Sequence, residues 1–288
     1  MARRRETTAK NDNTDFSDIV DKITPVQDLG TIVTMVTYGR SGTGKTTFTS
    51  TWPKPILLLD VKDEGTDSIR DIEGVGVLSI ETWDDFEKAY WFLKSGEHHF
   101  KSVAIDTVSQ LQQKLLQQIL DDEGKSFATQ QIWGQVSGKL KTWIMDFRDL
   151  ADDNLNINFI AQDRLNSTDT EEDEEQIDPE VGPQLMPSVA SMLNAAVKVI
   201  GNTYIAEVAK RTSKGINREA EYRMRLGPHP YYITKIRKPK KAKCPDYITD
   251  PSFDKIIEIM KGNYGKTKSG DKPSSGTKKK KATRKRKS

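Results

Sequence analysis

Between Thr31 and Thr47 the chain reads TIVTMVTYGRSGTGKTT, and no other stretch restricts its fold as severely. Ile32, Val33, Met35 and Val36 form a short, β-branched, apolar run of the kind that makes a buried strand. Directly after it, Gly39, Gly44, Lys45 and Thr46 fall at the spacing G-x-x-x-x-G-K-[ST]. Glycines at these places let the backbone curl until successive N–H groups point inward, and a helix starting there adds partial positive charge. Strand, loop and helix in this order make a phosphate-binding loop in the setting it requires. Gly39, Arg40, Ser41, Gly42, Thr43, Gly44, Lys45, Thr46 and Thr47 are therefore expected to cradle a nucleoside triphosphate. Lys45 would reach its β- and γ-phosphates and Thr46 would ligate Mg²⁺, so ATP and Mg²⁺ are the expected cofactors.

Beyond the loop, the chain alternates helical and extended patterns. Pro53 and Pro55 must stop the first helix. PILLLDV then reads as a parallel strand buried on both faces, ending in Asp60, Asp63 and Glu64. Val75 to Ile80 is a weaker strand, followed by a helix capped by Thr82, with Trp83, Phe86, Tyr90 and Leu93 inward and Gly96 at its end. Val103, Ala104 and Ile105 lead into Asp106, whose place at the tip of a strand suits a carboxylate that holds Mg²⁺. Two helices follow, one carrying Leu111, Leu115 and Ile119, the other Ile132 to Leu150; Trp133 and Trp143 could stack on bases, but aromatics at this helical spacing are more often core. LNINFIA is the next strand and ends in Gln162, placed to touch the γ-phosphate and to pass that state to the following loop. That loop, roughly Arg164 to Pro187, contains an acidic run at 171–175 and is expected to be long and structureless. A short helix around Met192 to Ala196 precedes three segments, Val197 to Ile200, Thr203 to Ala209 and Ala220 to Leu226. They are expected as antiparallel strands with turns at Gly201-Asn202 and Lys214-Gly215.

HPYYITKIRKPKKAK mixes Tyr231 and Tyr232 with Lys235, Arg237, Lys238, Lys240, Lys241 and Lys243 and contains no acid. Basic residues beside aromatics suit single-stranded nucleic acid, by phosphate contact and base stacking. Tyr231, Tyr232, Lys238, Lys240 and Lys241, with Arg164 at the flank of the acidic loop, are the candidate DNA contacts. The net charge of +3 conceals a division: Lys266 to Ser288 holds eleven basic residues and one acid, net +10, leaving −7 for the rest. Such a segment, without apolar residues, cannot bury surface and is expected to be a disordered tail that holds polyanions. Cys244 is the single cysteine, which excludes an internal disulfide and points to a reducing compartment, the cytoplasm. No apolar stretch approaches about 20 residues, so neither a membrane span nor a membrane partner is expected.

In their order, the phosphate loop, the LLLD strand with Glu64, VAIDT and FIAQ give a chain that resembles the RecA-like ATPases. It looks more closely like the phage ATP-binding proteins that act as single-strand annealing recombinases. The resemblance implies an α/β fold: a RecA-like P-loop NTPase core with a mostly parallel central sheet flanked by helices, and C-terminal antiparallel strands. It would span residues 29–262, after a flexible lead at 1–28 and before the basic tail at 263–288. It implies DNA-stimulated ATP hydrolysis with Lys45, Glu64, Asp106 and Gln162 as catalytic residues and Thr46 and Asp106 at the metal. Lys62 stands where the family's usual D-x-E spacing after Asp60 would place the acid, which leaves Glu64 against Asp63 open. Lys235 and Arg237 look like the pair that reaches a neighbouring subunit's ATP. The implied partners are single-stranded DNA and further copies of the chain, in a filament or ring, with a single-strand-binding protein as a further candidate. The implied setting is the cytoplasm, that of the host for a phage-encoded chain. Two other readings share this core: a ring-shaped motor or loader for a helicase, packaging or partition partner, and a non-hydrolysing annealing scaffold.

Overall fold

The computed structural model describes residues 22–25, 30–61, 65–166, 180–212 and 215–265. Asp63, Glu64, the acidic run at 171–175 and nearly all of the expected lead and basic tail lie outside the described residues. The chain begins its regular structure with β1 (Thr34–Tyr38), the glycine-rich loop and α1 (Lys45–Thr49), which ends before Pro53. Next come β2 (Ile56–Asp60), β3 (Val75–Ser79), α2 (Trp83–Ser95), β4 (Ser102–Asp106), α3 (Val108–Asp122), α4 (Gln130–Asp149) and β5 (Asn156–Ala161). The second half supplies β6 (Asp163–Asn166), β7 (Glu180–Pro183), α5 (Pro187–Ala196), β8 (Val199–Thr212) and β9 (Gly215–Arg225). β10 (Lys235–Ile236), β11 (Tyr247–Thr249) and α6 (Phe253–Met260) complete it.

These strands make one mostly parallel sheet in the order β11-β9-β8-β1-β5-β4-β2-β3, with β10 also paired to β8. β8, β1, β5, β4, β2 and β3 run parallel, whereas β9 is antiparallel to β8 and β11 to β9. This is the α/β architecture expected: a mostly parallel central sheet, flanking helices and antiparallel strands toward the C-terminus. Because side chains alternate across a strand, each central strand feeds two apolar layers. Val36, Leu57, Leu59, Val103, Ile105, Ile157 and Phe159 pack under α2, α3, α4 and α5. On the opposite face Met35, Ile56, Val199 and Met224 meet Phe48 of α1, Trp52, and Phe253, Ile256 and Ile259 of α6.

Local signals set the helix ends. Thr82 closes a capping box with Asp85, and Gly96 ends α2 in the left-handed region at φ 73°. Thr107, Thr129 and Ser252 cap α3, α4 and α6 through their hydroxyls. Each such cap is worth about 1 kcal/mol. Trp143 belongs to the core, in an aromatic cluster with Trp83, Phe86 and Tyr90.

Two expectations fail. Gly201-Asn202 is no turn: the strand runs unbroken from Val199 to Thr212, and its first part is parallel to β1 rather than antiparallel. The glycine is there for space, since a Cβ at 201 would lie 2.6 Å from Met224 Sδ and 2.8 Å from Met35 Cε. A glycine inside a strand marks close approach as readily as a reversal. Nor is the stretch after Gln162 structureless throughout, because β6 and β7 pair antiparallel, Asp163 with Pro183 through Asn166 with Glu180.

Candidate active site

Sheet register assembles the site. Asp60 at the tip of β2 pairs with Asp106 at the tip of β4, and Asp106 with Ile160 of β5, two residues before Gln162. A period of two then directs Asp60, Asp106 and Gln162 toward the same face, the one on which α1 lies. Carboxyl ends of parallel strands are where an open α/β sheet leaves a crevice for ligands.

Across that crevice lies the glycine-rich loop. Gly42 and Gly44 sit at φ 78° and 84°, a left-handed conformation that side chains resist. Gly39 has no room for a Cβ, which would fall 2.4 Å from the Thr203 carbonyl oxygen. The ammonium of Lys45 donates to the carbonyls of Gly39 and Arg40, both at 2.9 Å, and to Gln162 Oε1 at 3.4 Å. Thr46 Oγ1 donates to Asp106 Oδ2 at 2.8 Å, and all three of Lys45, Thr46 and Asp106 are buried. A Cβ on Gly65, just past the tip of β2, would lie 2.9 Å from Thr46 Oγ1 and 3.9 Å from Asp106 Oδ2. A hydroxyl and a carboxylate in contact, beside an ammonium folded over a left-handed loop, form a donor set that fits a triphosphate and a hard divalent cation. Of the loop residues, Arg40, Ser41, Gly42 and Thr47 face solvent, while Thr43 is buried.

Several supporting residues escaped the sequence reading. Asn158 is wholly buried in β5, where its Oδ1 accepts from Thr37 Oγ1 and its Nδ2 donates to Thr49 Oγ1, both at 2.8 Å. It ties the strand before the loop to the helix after it. The alternation of Asn156 and Asn158 in an apolar strand was the available signal, because buried amides must find partners. Thr43 and Thr203 share a hydroxyl hydrogen bond of 2.7 Å, fastening the loop to β8. Tyr222 of β9 stands over Gly44, its ring 3.3 Å from where a Cβ would be. Tyr38, the last residue of β1, donates its hydroxyl to the carbonyls of Val181 and Ile233, and burial pushes that hydroxyl's pKa far up.

Gln162 is also held at its backbone. Its N–H donates to Ser109 Oγ at 3.1 Å, Ser109 Oγ donates to the Gln184 carbonyl at 2.9 Å, and Gln184 N–H donates back to the Gln162 carbonyl at 2.8 Å. Gln162 and Gln184 bracket the β6-β7 hairpin, so a side chain that touches Lys45 belongs to the foot of that hairpin. Arg40 approaches Asp163, 3.8 Å away, at the same corner.

The basic and aromatic candidates are divided: Tyr232 and Arg164 border cavities next to the loop and Gln162, whereas Lys235 and Arg237 lie at the end of α5. Lys235 Nζ donates to the Asn194 and Ala195 carbonyls at the end of α5, where burial and the charge of Arg237 lower its pKa. Arg237 is exposed and turned toward the Ala195 carbonyl, 3.5 Å away. Tyr232 lies on Arg225, whose guanidinium is also stacked on Tyr204, 4.1 and 3.6 Å from the two ring centroids. A cavity of about 760 Å³ bounded by Arg40, Thr43, Tyr204, Arg225 and Tyr232 opens beside the loop. Tyr231, Lys240, Lys241 and Arg164 are exposed, and Lys238 donates to the Ala242 carbonyl.

A family model described as AAA domain matches residues 31–238. No curated protein matches. Among solved structures, the chain is similar to the flagellar accessory protein FlaH from Methanocaldococcus jannaschii, at 9% identity and a TM-score of 0.36 over 67% of this chain and 76% of that one.

Proposed function

Since this chain belongs to the AAA domain family of P-loop ATPases, we propose that it couples ATP binding and hydrolysis to the binding of single-stranded DNA, in strand annealing or recombination of the phage type. One observation carries the reading: Gln162 touches Lys45 through its side chain, while its backbone is pinned through Ser109 to Gln184 at the other foot of the hairpin. A change at the phosphates that moved Gln162 would move the hairpin base, where Arg164 stands exposed.

In this reading Lys45 exchanges its loop carbonyls for phosphate oxygens and offsets their charge, and the loop N–H groups hold the rest. Thr46 and Asp106 hold the cation, which supplies charge neutralisation when bound. The acid that orients water is Glu64 or Asp63, within two residues of Gly65, whose backbone already borders Thr46 and Asp106. Tyr222 offers an aromatic face over the loop for the nucleotide. Lys235 or Arg237 acts on a neighbouring subunit's nucleotide only after leaving the end of α5. The DNA surface combines Arg164, Tyr231, Tyr232, Lys238, Lys240 and Lys241.

The test is phosphate release with and without single-stranded DNA, in parent and Lys45→Ala proteins of equal thermal stability. DNA-stimulated release that falls at least about a hundredfold in the variant is expected. Turnover unchanged by Lys45→Ala defeats the site assignment, and release indifferent to DNA defeats the coupling. Imaging the particles separates assembly modes: filaments on single strands fit the recombinase, and hexamers without DNA fit a ring-shaped motor.

A further inference from the structure

Gln162 also borders a second cavity, of about 320 Å³, together with Gln110, Gln112 and Gln113 of α3, Trp133 of α4, Arg164 of β6 and Gln184. Among the described residues its walls carry several carboxamides, one indole and one cation, with Ser109 and the apolar Leu185, Met186 and Pro187, and no carboxylate. Gln112 is buried and accepts from the Met186 N–H at 2.8 Å through its Oε1. That bond settles which end of the amide is oxygen, and leaves the Nε2 donor without a hydrogen bond among the described residues. Gln110, Gln113 and Gln184 are exposed, and their carboxamides make no hydrogen bond among the described residues. Trp133 is half-buried and packed against the main core, so the indole is held in place yet reaches the cavity.

Carboxamides offer a donor and an acceptor side by side, the pattern that nucleobase edges present. Phosphate alone would be better met by several cations, whereas a flat base can use both the carboxamides and the apolar wall of Leu185, Met186 and Pro187. Bases splayed out of a single strand are held by stacking on an aromatic ring and by side-chain hydrogen bonds to their edges. The volume lies at the small end of ligand pockets, about the size for one base with its sugar.

We propose that this cavity is a nucleobase pocket that takes one unstacked base of a single strand. Trp133 supplies the stacking face, Gln112, Gln113 and Gln184 read the base edge, and Arg164 meets the adjoining phosphate. The pocket shares Gln162 with the nucleotide site, so the base sits one side chain away from Lys45. This assignment rests on the single-stranded DNA reading above and deepens it by naming the recognised group.

The experiment uses the full chain and two labelled strands of equal length, one natural and one lacking its bases, with affinity read by fluorescence polarisation. The natural strand is expected to bind at least about ten-fold more tightly. Gln113→Ala with Gln184→Ala, both exposed and so expected to leave the fold intact, weakens the natural strand about ten-fold and leaves the abasic strand unchanged. Trp133→Phe retains the preference for bases, and Trp133→Ala loses it. Equal affinity for the two strands, or a double variant that binds the natural strand like the parent, overturns the pocket while leaving DNA binding in place. Failure to bind either strand overturns both.

Discussion

Lys45 illustrates how much a single residue can reveal in advance. Its type and spacing lead one to expect a phosphate ligand; what the structure gives is its place, the ammonium over the loop against the Gly39 and Arg40 carbonyls and near Gln162. Gly201 shows the opposite case. In the sequence it sits before an asparagine, as turn residues do; its reason is two methionines, Met35 and Met224, brought in from distant strands. No local pattern could disclose them. Gly201→Ala should therefore overpack that junction and cost about 1–3 kcal/mol, seen as a lowered melting temperature. Relief by also shortening Met224 to Ala would confirm the cause. Asn158 was legible in principle, as an amide amid apolar neighbours, but its partners Thr37 and Thr49 were not.

Among the elements, those whose instructions lie within a dozen residues were readable. α2 carries both its cap and its terminator: Thr82 hydroxyl and N–H each donate to Asp85 Oδ2 at 2.8 Å, and Asp85 N–H donates to Thr82 Oγ1. These bonds, the Thr82 hydroxyl first, hold the Asp85 carboxyl below the usual carboxylate range. A carboxylate depressed in the folded state stabilises it above the unfolded pKa and loses that contribution as pH falls through the folded one. The first turn of α2 should thus loosen below about pH 4, with faster amide exchange there, and Asp85→Asn should blunt the change. The β6-β7 hairpin was hidden because its strands are four residues each and interrupted by an acidic stretch. It is tied to the body by Tyr38 and Ser109, residues far off in the chain, which donate to the Val181 and Gln184 carbonyls.

At the scale of the molecule, the order of motifs was enough to foresee a parallel sheet with its ligand crevice at the strand tips, because that topology follows from alternating strands and helices. It could not give the length of β8, which continues well past the loop, or the cavity under Gln112. Charge is a whole-chain property, and here it is divided between a net −7 body and a net +10 tail. Removing residues 266–288 should leave nucleotide hydrolysis intact and flatten the salt dependence of DNA affinity, measured as the slope of log K against log salt. A slope equal to that of the parent would exclude the tail from DNA contact. Ser109 bonds to both Gln162 and Gln184, the residues that flank β6 and β7. With one proton to give and one N–H to receive, it splices both feet of the hairpin together, so the pair cannot spread apart like jaws. In the function proposed above, a displacement of Gln162 would be passed to Gln184 through these bonds. Ser109→Ala removes one of the links between the feet and leaves the Gln184 N–H bond to the Gln162 carbonyl, so DNA stimulation of hydrolysis should weaken while basal hydrolysis is kept, a separation visible in the same phosphate-release assay.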